Sequence, residues 1–450
     1  MAITSAGVGS GLDIESLITK LVTADRTAPQ TRITTRKSEL SSELSAVGTV
    51  KSLLSSVQSK LSALVDDGAL SSVKASSSDE TLFTASAASG TASGSYDVEV
   101  VALAKASKKI SSAISGGADA VLGAGDVNIS VGSKSFKVTL GSTDNTLANL
   151  RDAINAATDN TGVTASLITE SGGTHLLLTA NETGAASEIT VSSSLMSFTS
   201  KQPGSDAHLK VEGYDVYSAS NTVTDAVEGV TLNLLAAKEG TTNSLSVATD
   251  SSSIQTALNS FIGVYNTTMS TLRSMVSYDA TTKTAGALNG DSLVRGAIQQ
   301  LRSIIGGTVS GAGSFSNLAD IGITADASGK LSLSSSDFTS ALTKDAASVQ
   351  KLFNVSGGYG KQLDSMLDTL VGTDGSMVSR VDSLNSQLKT LANEQDSLDA
   401  RMTAAEARYR KQYTALDTML AKMNTTSSFL TQQLTAIANL NNSSGSSSSG

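Results

Sequence analysis

From Ser376 to Ser444 the chain contains neither glycine nor proline, and apolar residues return there every seven positions. Val381, Leu388, Gln395, Met402, Tyr409, Leu416, Met423, Leu430 and Ile437 form one row. Leu384, Leu391, Leu398, Ala405, Gln412, Met419, Thr426, Gln433 and Leu440 form the other. A repeat sustained over this length specifies a coiled-coil helix rather than a short amphipathic one. Polar Gln395, Gln412 and Gln433 cost seam stability and are read as register-setting positions.

The other end of the chain carries a weaker version of the same pattern. Ser10 with Asp13 three residues later reads as a capping box, and Ile14, Leu17, Ile18, Leu21 and Val22 then share one helical face. Pro29 is expected to interrupt the helix. Beyond it Ile33, Leu40, Val47, Leu54 and Leu61 follow one another at intervals of seven, with Arg36, Glu43, Val50, Val57 and Leu64 three positions on. The second half of this helix has a true seam; the first half has only one apolar row. A fully buried seam side chain contributes about 1.5–3 kcal/mol, and an isolated helix nucleates poorly, so both ends need a partner. The nearest partner for each is the other end of the same chain, completed by further copies. The outermost parts are expected to be disordered in a lone monomer.

Between about residues 76 and 250 the period changes to two. Tyr96, Val98 and Val100 alternate with polar residues, as do Val127, Ile129 and Val131, then Phe136, Val138 and Leu140, then Val163, Ala165 and Leu167. Leu209 with Val211, Val230–Leu234, and Leu245 with Val247 continue the pattern, which predicts half-buried strands. Leu147, Leu150, Ile154 and Ala157 share a face and predict one helix among them. The low-complexity stretch Ala85–Gly94 reads as a linker or domain edge. Helical spacing returns at Ile254, through Leu258, Phe261, Ile262, Tyr265, Met269, Leu272 and Val276, and again from Leu293 to Ile305; GITADASGKLSL predicts a hairpin. A β-rich insert between helical segments brings the two ends of a stalk together.

Thirty-two Lys and Arg against 41 Asp and Glu give a net charge of −9, which argues against nucleic acid and anionic membrane as partners. There is no cysteine, so disulfides and cysteine-ligated metals are excluded. No apolar run reaches the roughly 20 residues of a membrane span. The first lysine is Lys20, and no basic region precedes an apolar one. The chain is therefore expected either to stay in the cytoplasm or to leave by a route that reads no cleaved Sec-type signal. No catalytic constellation, metal site or cofactor motif is found. His175 and His208 read as solvent-facing or edge-strand histidines. Gly7-Val8-Gly9-Ser10-Gly11 lacks the strand and lysine of a phosphate cradle and reads as a leader. Arg408, Arg410 and Lys411 read as a solvated helix flank, with Glu406–Arg410 as an i,i+4 pair.

The opening GVGSGLDIESLITKLV and the C-terminal RYRKQYTALDTMLAKMNTTSSFLTQQL resemble the terminal signatures of the flagellar hook-associated protein 2 family, the filament cap family. NTLANLRDAINAATDNTGVTASLITESGGTHLLLTANETGAASEITV is similar to the IN module that flagellins and their associated proteins share. SNTVTDAVEGVTLNLLAA and LADIGITADASGKLSLSSSDFTSALTKDAASVQKLF also match the cap family's pattern. The resemblance covers nearly the whole chain in the right order.

It implies an extracellular, oligomeric structural cap at the distal tip of the bacterial flagellar filament, exported by the flagellar type III apparatus. Such a cap promotes flagellin folding and polymerisation, prevents flagellin loss, and is no enzyme. The partners implied are further copies, flagellin, flagellar junction proteins, an export chaperone at the C-terminal helix and, in some species, host surface glycans. A surface adhesin and another flagellar axial protein such as a junction protein are the alternatives. The fold class expected is α+β, a helical coiled-coil stalk from the N- and C-terminal segments with two β-rich head domains inserted. The divisions read are 1–42 and 411–450 as leg helices, 43–75 and 254–410 as stalk, 76–102 and 200–253 as head, and 103–199 as outer head with the IN module. Leu17, Leu21, Leu40, Leu54, Leu388, Met402, Tyr409, Leu416, Met423 and Leu430 are read as the oligomerisation and leg coiled-coil residues. The tail NNSSGSSSSG reads as low-complexity.

Overall fold

The computed structural model describes residues 13–66 and 68–444, the side chains of 440–444 excepted. Ser10, the glycine run before it, the side chain of Leu440 and the last six residues of the tail lie outside the described residues. Helix α1 spans Ile14–Val65 and is capped by Asp13, whose carboxylate accepts the Ser16 N–H at 3.0 Å. Pro29, expected to interrupt, sits inside α1. The helix forgoes one N–H bond there, about 3 kcal/mol, and the side chains buried on either side outweigh that loss. Nothing marks a boundary at 42/43. Residues 14–42, read above as part of a leg helix, are helical, and Ile14, Ile18 and Ile33 are buried.

The chain is nested three deep. Leaving α1 it passes Ser72, which accepts the backbone N–H of Asp250 on the returning segment at 2.9 Å. Between them lies a five-stranded antiparallel sheet in the order Val73–Ser77, Thr242–Thr249, Gly94–Ala102, Ala207–Val211, Tyr214–Ser218. A three-stranded sheet, Thr222–Val227, Val230–Leu234 and Phe83–Ala87, accompanies it. Together they bury one core containing Phe83, Val98, Leu209, Leu232 and Leu245. The stretch Ala85–Gly94 is thus not a linker throughout. Its first residues pair with Val230–Leu232, and Ala85 and Ala87 pack against this core; their small side chains had hidden the strand.

A second crossing, at the Lys105–Ser205 bridge, leads into another core. Here the sheets Phe198–Gln202, Ala106–Ser111, Gly173–Thr183, Val163–Glu170 and Lys134–Leu140, Gly125–Val131, Ile189–Ser193 lie with helix α2, Leu147–Ala156. Val127, Ile129, Leu150, Ile154, Leu176 and Leu178 fill it.

The third core is helical. Helices α3 (Ser251–Val276), α4 (Ser292–Ile305), α5 (Ser335–Asn354), α6 (Tyr359–Val371) and α7 (Ser376–Ser444) pack with the second half of α1. The predicted hairpin is present as Ile323–Ala325 against Leu331–Leu333. Helix α5 kinks at Asp345, whose carboxylate accepts from the Ser314 and Ser348 hydroxyls and the Ser348 N–H. The α+β fold class, a helical stalk from both chain ends with β-rich units inserted, is the one observed.

The α3 cap makes the entry to the helical core sensitive to acid. Asp250 accepts from the Ser252 and Ser253 hydroxyls and the Ser253 N–H, and these bonds hold its carboxyl at about 2. A carboxyl lowered on folding stabilises the fold above its unfolded value of about 4 and loses that contribution as pH falls through about 2. Asp250→Ala is expected to cost about 0.5–2 kcal/mol at neutral pH, with the gap from wild type closing as pH falls toward 2. Urea unfolding across that range checks it; a gap independent of pH would contradict the assignment.

Candidate functional site

The feature that distinguishes this molecule is what its two ends do together. Helices α1 and α7 run antiparallel, as their cross-helix bonds show: Glu15 meets Arg410, Arg26 meets Asp399, Gln30 meets Gln395 and Glu43 meets Arg380. The seam changes character along its length. In the half nearer the β domains it is apolar. Leu40, Val47, Val50, Leu54, Val57, Leu61 and Leu64 are buried in the helical core together with Leu384.

Toward the chain ends the apolar contribution shrinks to Ile14, Ile18 and Ile33 of α1 with Leu398 and Ala405 of α7. Polar bonds fill the rest. The Gln30 and Gln395 amides bond reciprocally, Nε2 to Oε1 at 2.7 Å and 2.9 Å. Gln395 also donates to Asp399 at 3.2 Å, and Asp399 takes the Arg26 guanidinium. The Tyr409 hydroxyl donates to Asp25 at 2.9 Å. Arg410 bridges Glu15 at 2.9 Å and Glu406 at 3.0 Å, so the i,i+4 pair read from the sequence exists and reaches across the seam as well.

The ten residues read as coiled-coil positions separate into three groups. Leu40 and Leu54 are buried inside the chain's own core, so they are not surfaces for a second copy; heptad spacing marks burial but not the partner. Leu21, Leu388, Met402 and Tyr409 are half-buried along α1 and α7, and Leu17 lies exposed beside them. Leu416, Met423 and Leu430 lie on α7 past Arg410, beyond the last bond to α1. There Leu416 is 45 % exposed, and Met419, Met423, Phe429, Leu430, Leu434 and Ile437 are more than half exposed. Residues 411–444 extend about 50 Å as a helix at 1.5 Å per residue. Gln412 and Gln433 are exposed on this stretch, so of the three seam glutamines Gln395 alone has a seam partner among the described residues.

Arg26, Gln30, Asp25 and Glu15 were not identified from the sequence as partners of α7. Their signal is charge and amide complementarity, which becomes readable only once the antiparallel register is known.

Neither histidine is at a sheet edge; each stands on an interior strand with its ring partly exposed. His175 lies on an interior strand, where its Nδ1 lies 2.7 Å from the Ser111 carbonyl and its Nε2 3.2 Å from Glu170. The Ser111 carbonyl, then Glu170, raise its proton affinity above the usual histidine range. His208 is also on an interior strand, with its Nε2 2.8 Å from Asp215 and its ring stacked on Tyr217 at 4.5 Å. Among the described residues no group of three or more His, Cys, Asp or Glu could hold a metal ion, and no helix is long and apolar enough to cross a membrane.

The polar half of the seam is the weaker one. Gln395→Ala leaves the Gln30 amide without its reciprocal partner, at about 1 kcal/mol. Amide exchange in residues 14–35 is expected to accelerate about fivefold, with 50–64 unchanged. Equal protection of both halves in wild type and variant would contradict this division.

Sequence models of the flagellar hook-associated protein 2 N-terminus and C-terminus match residues 10–107 and 204–425, and the flagellin hook IN motif matches 126–182. Flagellar hook-associated protein 2 of Escherichia coli K12 is 33% identical over 425 residues, covering 85% of this chain and 88% of that one. The B-type flagellar hook-associated protein 2 of Pseudomonas aeruginosa PAO1 is 30% identical over 417 residues, covering 85% and 87%. The D1-D2-D3 domains of the Escherichia coli flagellar cap protein superpose with a TM-score of 0.65 at 31% identity, over 76% of this chain and 99% of that structure.

Proposed function

The chain belongs to the flagellar hook-associated protein 2 family, and we propose that it caps the distal end of the bacterial flagellar filament, gripping it through the protruding end of α7. As a member of a family of structural cap proteins it is an extracellular flagellar component that associates with copies of itself and with flagellin. Its β-rich units form the outward part of the cap. The paired ends of α1 and α7 are the legs. Flagellin arriving at the tip folds in the space that the cap encloses and is retained there rather than lost.

The observation that carries this reading is the apolar stripe on α7 past Arg410, which α1 does not cover among the described residues. Leu416, Met423 and Leu430 continue the heptad row of Met402 and Tyr409 without a slip. A row in that register fits a groove between other helices, and the filament end supplies helices for it. Such a stripe must also be covered before the protein reaches the tip. An export partner occupying the same face fits that need, and the absence of cysteine suits passage of an unfolded chain through a narrow channel.

Leu416→Asp and Leu430→Asp place a carboxylate in the docked seam, at a cost of about 2–3 kcal/mol or roughly a hundredfold in docking. Cells carrying either variant are expected to release flagellin into the medium and to swim poorly, while the β units melt as in wild type. Wild-type filament growth by both variants would contradict the leg assignment.

A further inference from the structure

One end of α4 carries a cluster of cations that the leg mechanism does not use. Arg273 in the last turn of α3, Arg302 in the last turn of α4 and Lys330 on the 323–333 hairpin converge on Gly329. The Arg273 guanidinium lies 3.5 Å, and the Arg302 Nε 3.6 Å, from the point where a Cβ on Gly329 would stand. The hairpin is fixed to α3, since the Asn266 amide bonds both the N–H of Leu331, at 2.7 Å, and its carbonyl, at 2.9 Å. A cavity of 610 Å³ opens beside this junction, with Arg273 and Lys330 in its wall.

None of the three cations forms an ion pair with a carboxylate among the described residues. Asp326, in the hairpin turn, spends its carboxylate on the Ser328 hydroxyl and the Lys330 N–H, and the Lys330 charge also favours its ionised form without forming an ion pair. Buried Tyr265 feels the cluster too: burial pushes its hydroxyl up to about 12, and the charges of Arg273 and Arg302 oppose that rise. A cation in the last turn offsets a helix dipole, which accounts for each arginine singly but not for their convergence with Lys330.

Toward the opposite end of α4, the cap Asp291 with Ser292 and Leu293 shares a cavity with Ser376, Ser379 and Arg380 of α7. Just before α7 stands the turn joining it to α6, with exposed Asp374 in the turn and exposed Asp368 at the end of α6. Neither makes an ion pair among the described residues. The eleven residues of α4 from Ser292 to Arg302 span about 15 Å, so the two clusters cannot neutralise each other within one chain.

We propose that these clusters meet between copies, with the Arg273–Arg302–Lys330 cluster of one chain receiving the Asp368–Asp374 turn of the next. This rests on the reading of the protein as a self-associating cap. Two different patches in contact form a head-to-tail interface, the kind that closes rings. Charge complementarity sets the direction and register of neighbours around that ring.

The chain has no cysteine, which makes a cross-linking test clean. A full-length chain with Lys330→Cys and Asp374→Cys is treated with a short bismaleimide, both purified and on intact flagellated cells. A ladder of covalent multimers is expected, with neither single-cysteine chain extending beyond a dimer. Adding Arg273→Glu and Arg302→Glu is expected to reduce the ladder about tenfold or more, while far-ultraviolet circular dichroism checks that the helices remain. Asp368→Lys, at the exposed end of α6, serves as a second reversal if the arginine variant fails to fold. A ladder in neither setting, or one that a folded reversal leaves intact, overturns the contact. A ladder in solution with no protein at filament tips would instead fail the cap reading and leave the contact standing.

Discussion

The antiparallel pairing of α1 with α7 is the contact on which the rest of the molecule depends. It joins residues nearly four hundred positions apart, as the Glu15–Arg410 and Arg26–Asp399 bonds illustrate. Closing so large a loop has a chain-entropy cost that grows only slowly with length, so a long seam of modest contacts suffices to hold it. Once it is closed, everything between the helices is an insertion whose entry and exit lie side by side. Ser72 beside Asp250 and Lys105 beside Ser205 are the two places where the chain steps outward and returns. Each β unit can then bury its own core without disturbing the stalk.

The gradient along the seam links structure to function. Where the helices meet α3 and α6 the contact is apolar and deeply buried; toward the chain ends it becomes a ladder of amides and ion pairs. Exposed ion pairs and amide bonds each contribute little, typically near 1 kcal/mol, so the outer half opens more readily than the inner half. Beyond it α7 carries apolar residues with no partner among those described. A protein that must dock into a growing polymer needs a firm base, a yielding middle and an apolar tip, and this order is laid out along one helix.

Much of this was legible in the residues. The row Ile33, Leu40, Val47, Leu54, Leu61 is buried throughout, and α7 begins directly after Gly375, where the glycine-free stretch starts. Period-two runs such as Phe136, Val138 and Leu140 became strands with those side chains inward. What was not legible depended on distant contacts. Pro29 sits inside a helix because tertiary burial on both sides outweighs one lost bond. Leu40 and Leu54 show that a heptad row reveals which face is covered and not by what. His175 and His208 fall on interior strands because strand order is set by the nesting of the chain, which spacing does not encode. Gln30 carried no signal alone; it matters because it stands opposite Gln395.

The central claim is that this chain stands at the growing end of a filament. Immunogold labelling on intact flagellated cells, viewed by electron microscopy, tests it most directly. The account predicts gold confined to distal filament tips. Gold along the shaft, at the hook junction or only on the cell body would contradict it.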